Sequence, residues 1–443
     1  MLLIAAALLT ASMHSPGVVE APVVPAGTSS VVGAPSSGPA VEDHAALDHL
    51  VGSRGSAFLA DLGTVDGADL ARADRDARVL ATAQDRPPTP AAVRTWWSGL
   101  DQAARSRLVD HAPAVVGNLD GVPYDVRDRA NRSTLARGLA AAGDGSALHG
   151  MLHQVEAALS PDPGSPGRVL VALDTRGSGR AAIAVGDLAT AADVTVVVPG
   201  MFFTVSGQMH DFADTADGLY QEQTAVAGLA APDPARGSGV AVVAWMGYRT
   251  PDMSNILSLG LADTGAERLE RVVAGLDAVR GDVRPRLNVV AHSYGSTTAM
   301  TALSSGRMRA DTLTVLGSPG SDVRSAAQLA VGRGEVFVGD AHDDPVAGTG
   351  YFGTDPGSPG FGSTLLDLSG GVPEGTAGLF RRPVGHNDYL KPGTSSLHEV
   401  ALIAVGRGDL VRHQARRGSG GTGGPQPGPD MYLLRPQDLQ PRD

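Results

Sequence analysis

From Gly167 onward, short apolar runs alternate with stretches of helical period, and that alternation leaves few architectures open. Val169–Leu173 and Ala181–Val185 flank Gly177-Ser178-Gly179 and read as an antiparallel hairpin. Further apolar runs stand at Val194–Val198, Val240–Trp245, Leu287–Ala291, Thr312–Leu316 and Val336–Val338. Between them, Leu269, Val272, Val273, Leu276 and Val279 share one face at helical spacing. Strands that alternate with helices after a hairpin predict an α/β fold. Its mostly parallel sheet is opened by that hairpin and covered on both faces.

A helical N-terminal region is expected ahead of the sheet, over 41–160. Thr89-Pro90 is suited to cap and start a helix carrying Val93, Trp96, Trp97 and Leu100, with the Trp pair read as core packing. Pro123 opens a second helix through Val126, Ala130, Leu135 and Leu139. Residues 1–14 read as a weak signal-like or anchor segment, because Leu2–Ala11 is apolar but lacks basic residues ahead of it. It is also shorter than the roughly 20 residues that span a bilayer. A linker rich in Pro, Gly and Ser follows over 15–40, and 416–443 reads as a disordered tail. An apolar start followed by an uncharged linker favours export or the cell envelope over the cytoplasm, and is compatible with peripheral or tethered membrane association.

Composition removes several function classes. The net charge is −12, and an acidic surface repels phosphate backbones, so no nucleic-acid partner is expected. The absence of cysteine excludes thiolate metal sites, disulfide frameworks and a Cys nucleophile. The single lysine, Lys391, stands between Leu390 and Pro392, which removes a phosphate-binding Gly-Lys-Ser/Thr loop. No cofactor is implied.

The sharpest local feature is Leu287-Asn288-Val289-Val290-Ala291-His292-Ser293-Tyr294-Gly295-Ser296. An apolar strand runs into small-x-Ser-x-Gly and then into a helical segment, which is the context of a nucleophile elbow. Such a turn lifts the Ser293 hydroxyl clear of the sheet and leaves the Tyr294 N–H free at a helix start, where it could stabilise an oxyanion. A serine needs a base and an orienting acid, expected in the order Ser, Asp or Glu, His. His386, in Pro383-Val384-Gly385-His386-Asn387-Asp388, sits in a loop suited to a base; His398, His292 and His342 are the rivals.

The acid is expected just past the strand ending at Gly339, in Asp340-Ala341-His342-Asp343-Asp344-Pro345-Val346. Asp344, directly before Pro-Val, leads; Asp343, Asp340 and the more distant Asp355 are the alternatives. A second oxyanion donor is sought after Val197-Val198-Pro199-Gly200, at the N–H of Met201 or Phe202. Met201, Phe202, Phe203, Met209 and Tyr248 are read as an apolar acyl pocket, with core packing as the other reading. The acids of 340–344 match no EF-hand spacing, and no metal site is assigned.

Longer strings carry a resemblance. Trp96-Trp97, Gly117-Asn118-Leu119-Asp120-Gly121-Val122-Pro123, Arg127-Asp128, Asn131-Arg132, Val197-Val198-Pro199-Gly200, Ala244-Trp245-Met246-Gly247-Tyr248, Gly317-Ser318-Pro319-Gly320, Asp344-Pro345-Val346, Phe352-Gly353 and His386 occur in order around the Ser293 elbow. From about Val93 to Asp409 the chain resembles alpha/beta hydrolase family 8, a bacterial family of the α/β-hydrolase superfamily frequent in high-GC Gram-positive bacteria. The resemblance implies an α/β-hydrolase catalytic domain over 165–412, with Ser293, Asp344 and His386 as its triad, and it implies no particular substrate. The expected activity is hydrolysis of an acyl bond, foremost a carboxylic ester, in a small-molecule or lipid-like substrate. Acyl transfer or amide hydrolysis on the same residues is the second reading. A catalytically silent, envelope-tethered interaction protein is the third.

Overall fold

The computed structural model describes residues 45–413 apart from 162, 232, 234 and 373–378. The signal-like segment, the linker and the tail all lie outside the described residues. The chain begins with helices α1 (Ala45–Gly52), α2 (Gly55–Thr64), α3 (Gly67–Ala73), α4 (Ala77–Gln84), α5 (Pro90–Gly99) and α6 (Gln102–His111). The short α7 (Pro113–Val116), α8 (Tyr124–Ala141) and α9 (Ala147–Ala158) follow. Most of these starts are written locally. Asp66, Asp76, Thr89, Asp101 and Ser146 each cap the helix that follows with a side-chain oxygen. Leu50, Phe58, Leu70, Val93, Trp97 and Val116 join in one buried cluster of this region.

Eight strands then form one sheet in the order β1-β2-β4-β3-β5-β6-β7-β8. They are β1 (Arg168–Asp174), β2 (Arg180–Gly186), β3 (Asp193–Val198), β4 (Val240–Met246), β5 (Arg286–His292), β6 (Thr312–Leu316), β7 (Val336–Gly339) and β8 (Thr364–Leu365). β1 and β2 are antiparallel, β2 is antiparallel to β4, and every other pairing is parallel. The fold is therefore α/β with a mostly parallel sheet opened by a hairpin. β3 and β4 are buried at every position, as strands covered on both faces must be. The pleat sorts β5 between two cores. Val290 joins the cluster of α10 (Val205–Val226) and α13 (Ser395–Ala404), while Val289 and Ala291 join that of α11 (Gly260–Arg280) and α12 (Tyr294–Ser304). β8 was not legible in the sequence, since two residues carry no period; pairing with Phe337 and Val338 holds it in place.

The open edge of β1 would present unpaired peptide groups to solvent, and the helical region occupies them instead. Asn118 donates to the Leu173 carbonyl at 2.8 Å and accepts from the Leu173 N–H at 3.0 Å. Asp128 accepts from the Leu170 N–H at 2.7 Å, and Asn131 donates to the Leu170 carbonyl at 3.0 Å. Arg132 caps the Arg168 carbonyl. The polar residues of Gly117–Arg132 thus behave as side-chain surrogates for a ninth strand. Asn131 is fully buried and also donates to the Gly117 carbonyl. Asn131→Ala should therefore destabilise the protein by about 1–3 kcal/mol, read as a lower urea midpoint. An unchanged midpoint would show that the edge needs no such cover.

A charged knot ties the same regions together beside the hairpin. Asp85, just after α4, receives Arg176 at 3.0 Å, Arg180 at 2.9 Å and Arg268 of α11 at 2.7 Å. Burial alone would raise this carboxyl, but hydrogen bonds from Arg176 and Arg268 and the charge of Arg180 outweigh it and bring Asp85 down to about 2. Among the described residues no helix is long and apolar enough to cross a membrane.

Candidate active site

Ser293 occupies the single residue between β5 and α12, with φ 55° and ψ −132°. A side chain in that region is strained, so the surroundings must hold it there. Glycines make the room. A Cβ on Gly295 would lie 2.5 Å from the Pro199 carbonyl oxygen, and one on Gly200 would lie 2.6 Å from Ser293 Cβ. The Ser293 N–H donates to the Leu316 carbonyl at 2.9 Å, which anchors the turn to β6.

His386 Nε2 stands 2.8 Å from Ser293 Oγ, and His386 Nδ1 stands 2.9 Å from both carboxylate oxygens of Asp344. All three residues are buried. Asp344 Oδ1 also accepts from the Val346 N–H at 2.8 Å, and Oδ2 accepts from the Tyr389 hydroxyl at 2.6 Å. Burial would raise the Asp344 carboxyl, but hydrogen bonding and charge from His386, then the Tyr389 and Val346 bonds, hold it below its usual range. Gly317, at φ 58°, passes under the pair; a Cβ there would meet Asp344 Oδ2 at 2.6 Å and His386 Nδ1 at 3.1 Å. The acid therefore reaches the imidazole only because position 317 has no side chain.

The alternatives go elsewhere. The Asp343 side chain is half exposed and lies 3.7 Å from Arg382. Asp355 accepts from the Gly357 N–H at 2.9 Å. His398 bonds Glu222 at 2.7 Å and stacks on Phe380, and His342 is exposed. His292 donates from Nε2 to the His386 carbonyl at 2.7 Å, with the two rings 4.5 Å apart. Burial, then the nearby His386, pushes His292 down to about 3, so it remains neutral and serves as a donor.

Two further expectations need correction. The Phe202 N–H is committed to the Pro251 carbonyl at 3.0 Å, so it is not a free oxyanion donor. The N–H groups of Met201 and Tyr294 have no acceptor among the described residues. The residues read as an acyl pocket are also dispersed. Met209 is fully buried in the α10 core, where Phe203 packs edge-on against Phe212. Tyr248 lies in the opposite core, stacked on Trp245, with its hydroxyl on the Pro199 carbonyl at 2.7 Å. Met209 lies on the α10 face that meets the sheet, while Phe203 and Tyr248, in the loops after β3 and β4, turn into the two cores. Met201 and Phe202 instead join Ile256, Val346, Tyr351 and Phe352 in a small apolar cluster that links the loop after β3 to the loop after β7. Ile256 and Tyr351 carried no signal in the sequence, since they come from irregular loops, and Val346 stood out only as part of Asp344-Pro345-Val346.

Asp340 is unusual. Its Oδ1 is shielded from solvent and has no partner among the described residues. Burial first, then the Asp355 and Asp344 carboxylates, pushes it up to about 8. The folded chain keeps a proton that the unfolded chain has released, so stability falls as pH rises from about 4 towards about 8. Asp340→Asn should remove that slope: its Tm should exceed the wild-type value most at pH 8, with the gap closing towards pH 4. Equal gaps at both pH values would mean that Asp340 is ionised in the native protein. Among the described residues, the group whose donors converge closely enough for a metal ion is His210, Asp211 and Asp214, and Asp214 already pairs with Arg168 at 2.8 Å.

The match to a family of known proteins agrees with this architecture. The profile of a family described as Alpha/beta hydrolase matches residues 174–354, a span that includes Ser293 and Asp344 but stops short of His386. The chain is 33% identical over 219 residues to the uncharacterized protein Rv0963c of Mycobacterium tuberculosis, covering 47% of this chain and 80% of that protein. It is 32% identical over 383 residues to Rv2079 of the same organism, covering 72% of this chain and 56% of that protein. The chain thus spans little more than half the length of this longer relative. Among solved structures, an esterase/lipase from an uncultured bacterium covers 63% of this chain and 97% of its own at 9% identity, with a TM-score of 0.34. XC6422 from Xanthomonas campestris, an α/β serine hydrolase without a lid, covers 47% of this chain and 85% of its own at 16% identity, with a TM-score of 0.29. On the sequence matches, and with a sheet that carries a serine at the sharp turn after its fifth strand, the chain belongs to the alpha/beta hydrolase family.

Proposed function

We propose that this hydrolase cleaves carboxylic esters through Ser293, His386 and Asp344. The observation that carries the reading is the unbroken buried path from Ser293 Oγ through both nitrogens of His386 to Asp344. Ser293 Oγ attacks the acyl carbon while His386 Nε2 takes its proton. Asp344 fixes the Nδ1–H tautomer and stabilises the imidazolium. The N–H groups of Tyr294 and Met201 are the donors available to the oxyanion. As the intermediate collapses, His386 returns the proton to the leaving alkoxide. Water, deprotonated by the same imidazole, then releases the acid from the acyl-enzyme.

A silent scaffold fits this site poorly. It would have no use for a serine held at positive φ or for a histidine whose two nitrogens are both spent on this line. A fluorophosphonate probe should label the protein at Ser293 alone, and a short-chain p-nitrophenyl ester should compete. Absence of labelling in the folded protein would refute the reading.

A further inference from the structure

We infer that Tyr389 is a positioning residue of this site, its phenol setting both the direction and the basicity of the carboxylate on which His386 depends. The inference rests on the proposed serine-hydrolase reading. Tyr389 follows His386 by three residues, so one short loop supplies both the imidazole and the phenol. Its oxygen accepts the Ala341 N–H at 2.8 Å, and its O–H donates to Asp344 Oδ2 at 2.6 Å. The Ala341 N–H occupies one side of the hydroxyl, and the phenol proton is directed at Asp344. The phenol therefore staples the acid loop to the base loop at two points.

The surroundings are built around this contact. The residue is 1% exposed, so neither bond is shared with bulk water. The Tyr389 carbonyl receives the hydroxyls of Thr394 and Ser396, at 3.1 and 2.5 Å, at the start of α13. The ring fits because position 317 is glycine; a Cβ there would lie 3.0 Å from Tyr389 Cε2. Such anchoring leaves the phenol one direction in which to donate.

The groups that face Asp344 are His386, Tyr389 and Asp340, and those that face His386 are Asp344, Ser293 and His292. Between about pH 5 and pH 7, burial keeps His292 neutral and Asp340 protonated, which leaves Asp344 as the charged group against the His386 ring. A donor on Oδ2 withdraws charge from that carboxylate. Without the donor, the carboxylate becomes more basic and turns more freely. The first change moves the acid limb of the rate profile; the second lowers kcat.

Tyr389→Phe should lower kcat by about 10- to 100-fold, the kinetic equivalent of one charge-assisted hydrogen bond. KM should stay within about twofold, and the acid limb of kcat/KM should move up in pH by roughly half a unit or more. Difluorotyrosine placed at 389 keeps the shape and donates more strongly, so it should move that limb down. It also decides the matter if the Phe variant does not fold. A folded Phe variant with unchanged kcat and pH profile, or two variants that fail to move the limb in opposite directions, would overturn the inference. Undiminished turnover in Ser293→Ala would instead overturn the serine-hydrolase reading itself. Loss of turnover in Ser293→Ala beside a normal Phe variant sinks only the role of Tyr389.

Discussion

Asp344→Asn should cut kcat by roughly 10³–10⁴-fold, while its neighbour Asp343→Asn should cost less than about tenfold. The two carboxylates are adjacent in sequence and separate in space. Asp344 accepts from His386, Tyr389 and two backbone N–H groups, all directed at an anion. An asparagine amide there would present donors to donors. The imidazole would then lose both its tautomer preference and the charge that stabilises its protonated form. Asp343 offers its carboxylate to Arg382 at a half-exposed site, where a lost ion pair is worth little. Steady-state rates of both variants on one ester measure the difference. The reverse ranking would move the orienting role to Asp343, and two mild variants would redirect attention to Asp340 or Asp355.

Ser293→Ala should lower ester turnover at least about 10³-fold. The loss should fall almost entirely on kcat, because the change removes the proposed nucleophile and leaves the apolar surroundings in place. The substitution should not unfold the chain. Alanine removes only the hydroxyl, whose bonding partner at 2.8 Å is His386 Nε2. It keeps the Cβ packed over Gly200. Backbone strain at φ 55° is the same for both residues. Circular dichroism on the same preparation separates lost chemistry from lost structure, and full turnover by a folded variant excludes the covalent route.

The strongest sequence signals were those whose physics is local. The strand, serine turn and helix of 286–304 follow from an apolar run, the close glycine at 295 and a helix start, all within about twenty residues. The edge cover shows the other side. Asn118, Asp128, Asn131 and Arg132 could be recognised as part of an ordered string, yet nothing in their spacing says that they pair with a strand 36 to 55 residues later. Met209 and Tyr248 likewise read as pocket side chains until the sheet assigned them to opposite cores.

The sequence by itself determined the α/β class, the hairpin that opens the sheet and the sharp turn that holds Ser293, because steric limits and hydrophobic period act between near neighbours. Tertiary structure alone decided the sheet order, with β4 between β2 and β3, and the two-residue β8. It also decided which acid meets which histidine. Ser293 and His386 lie 93 residues apart, and Asp344 and His386 lie 42 apart. Which carboxylate lies within hydrogen-bonding reach depends on where β7 ends, how the loop after it turns and the missing side chain at Gly317. These are properties of packing, and no short window of residues contains them.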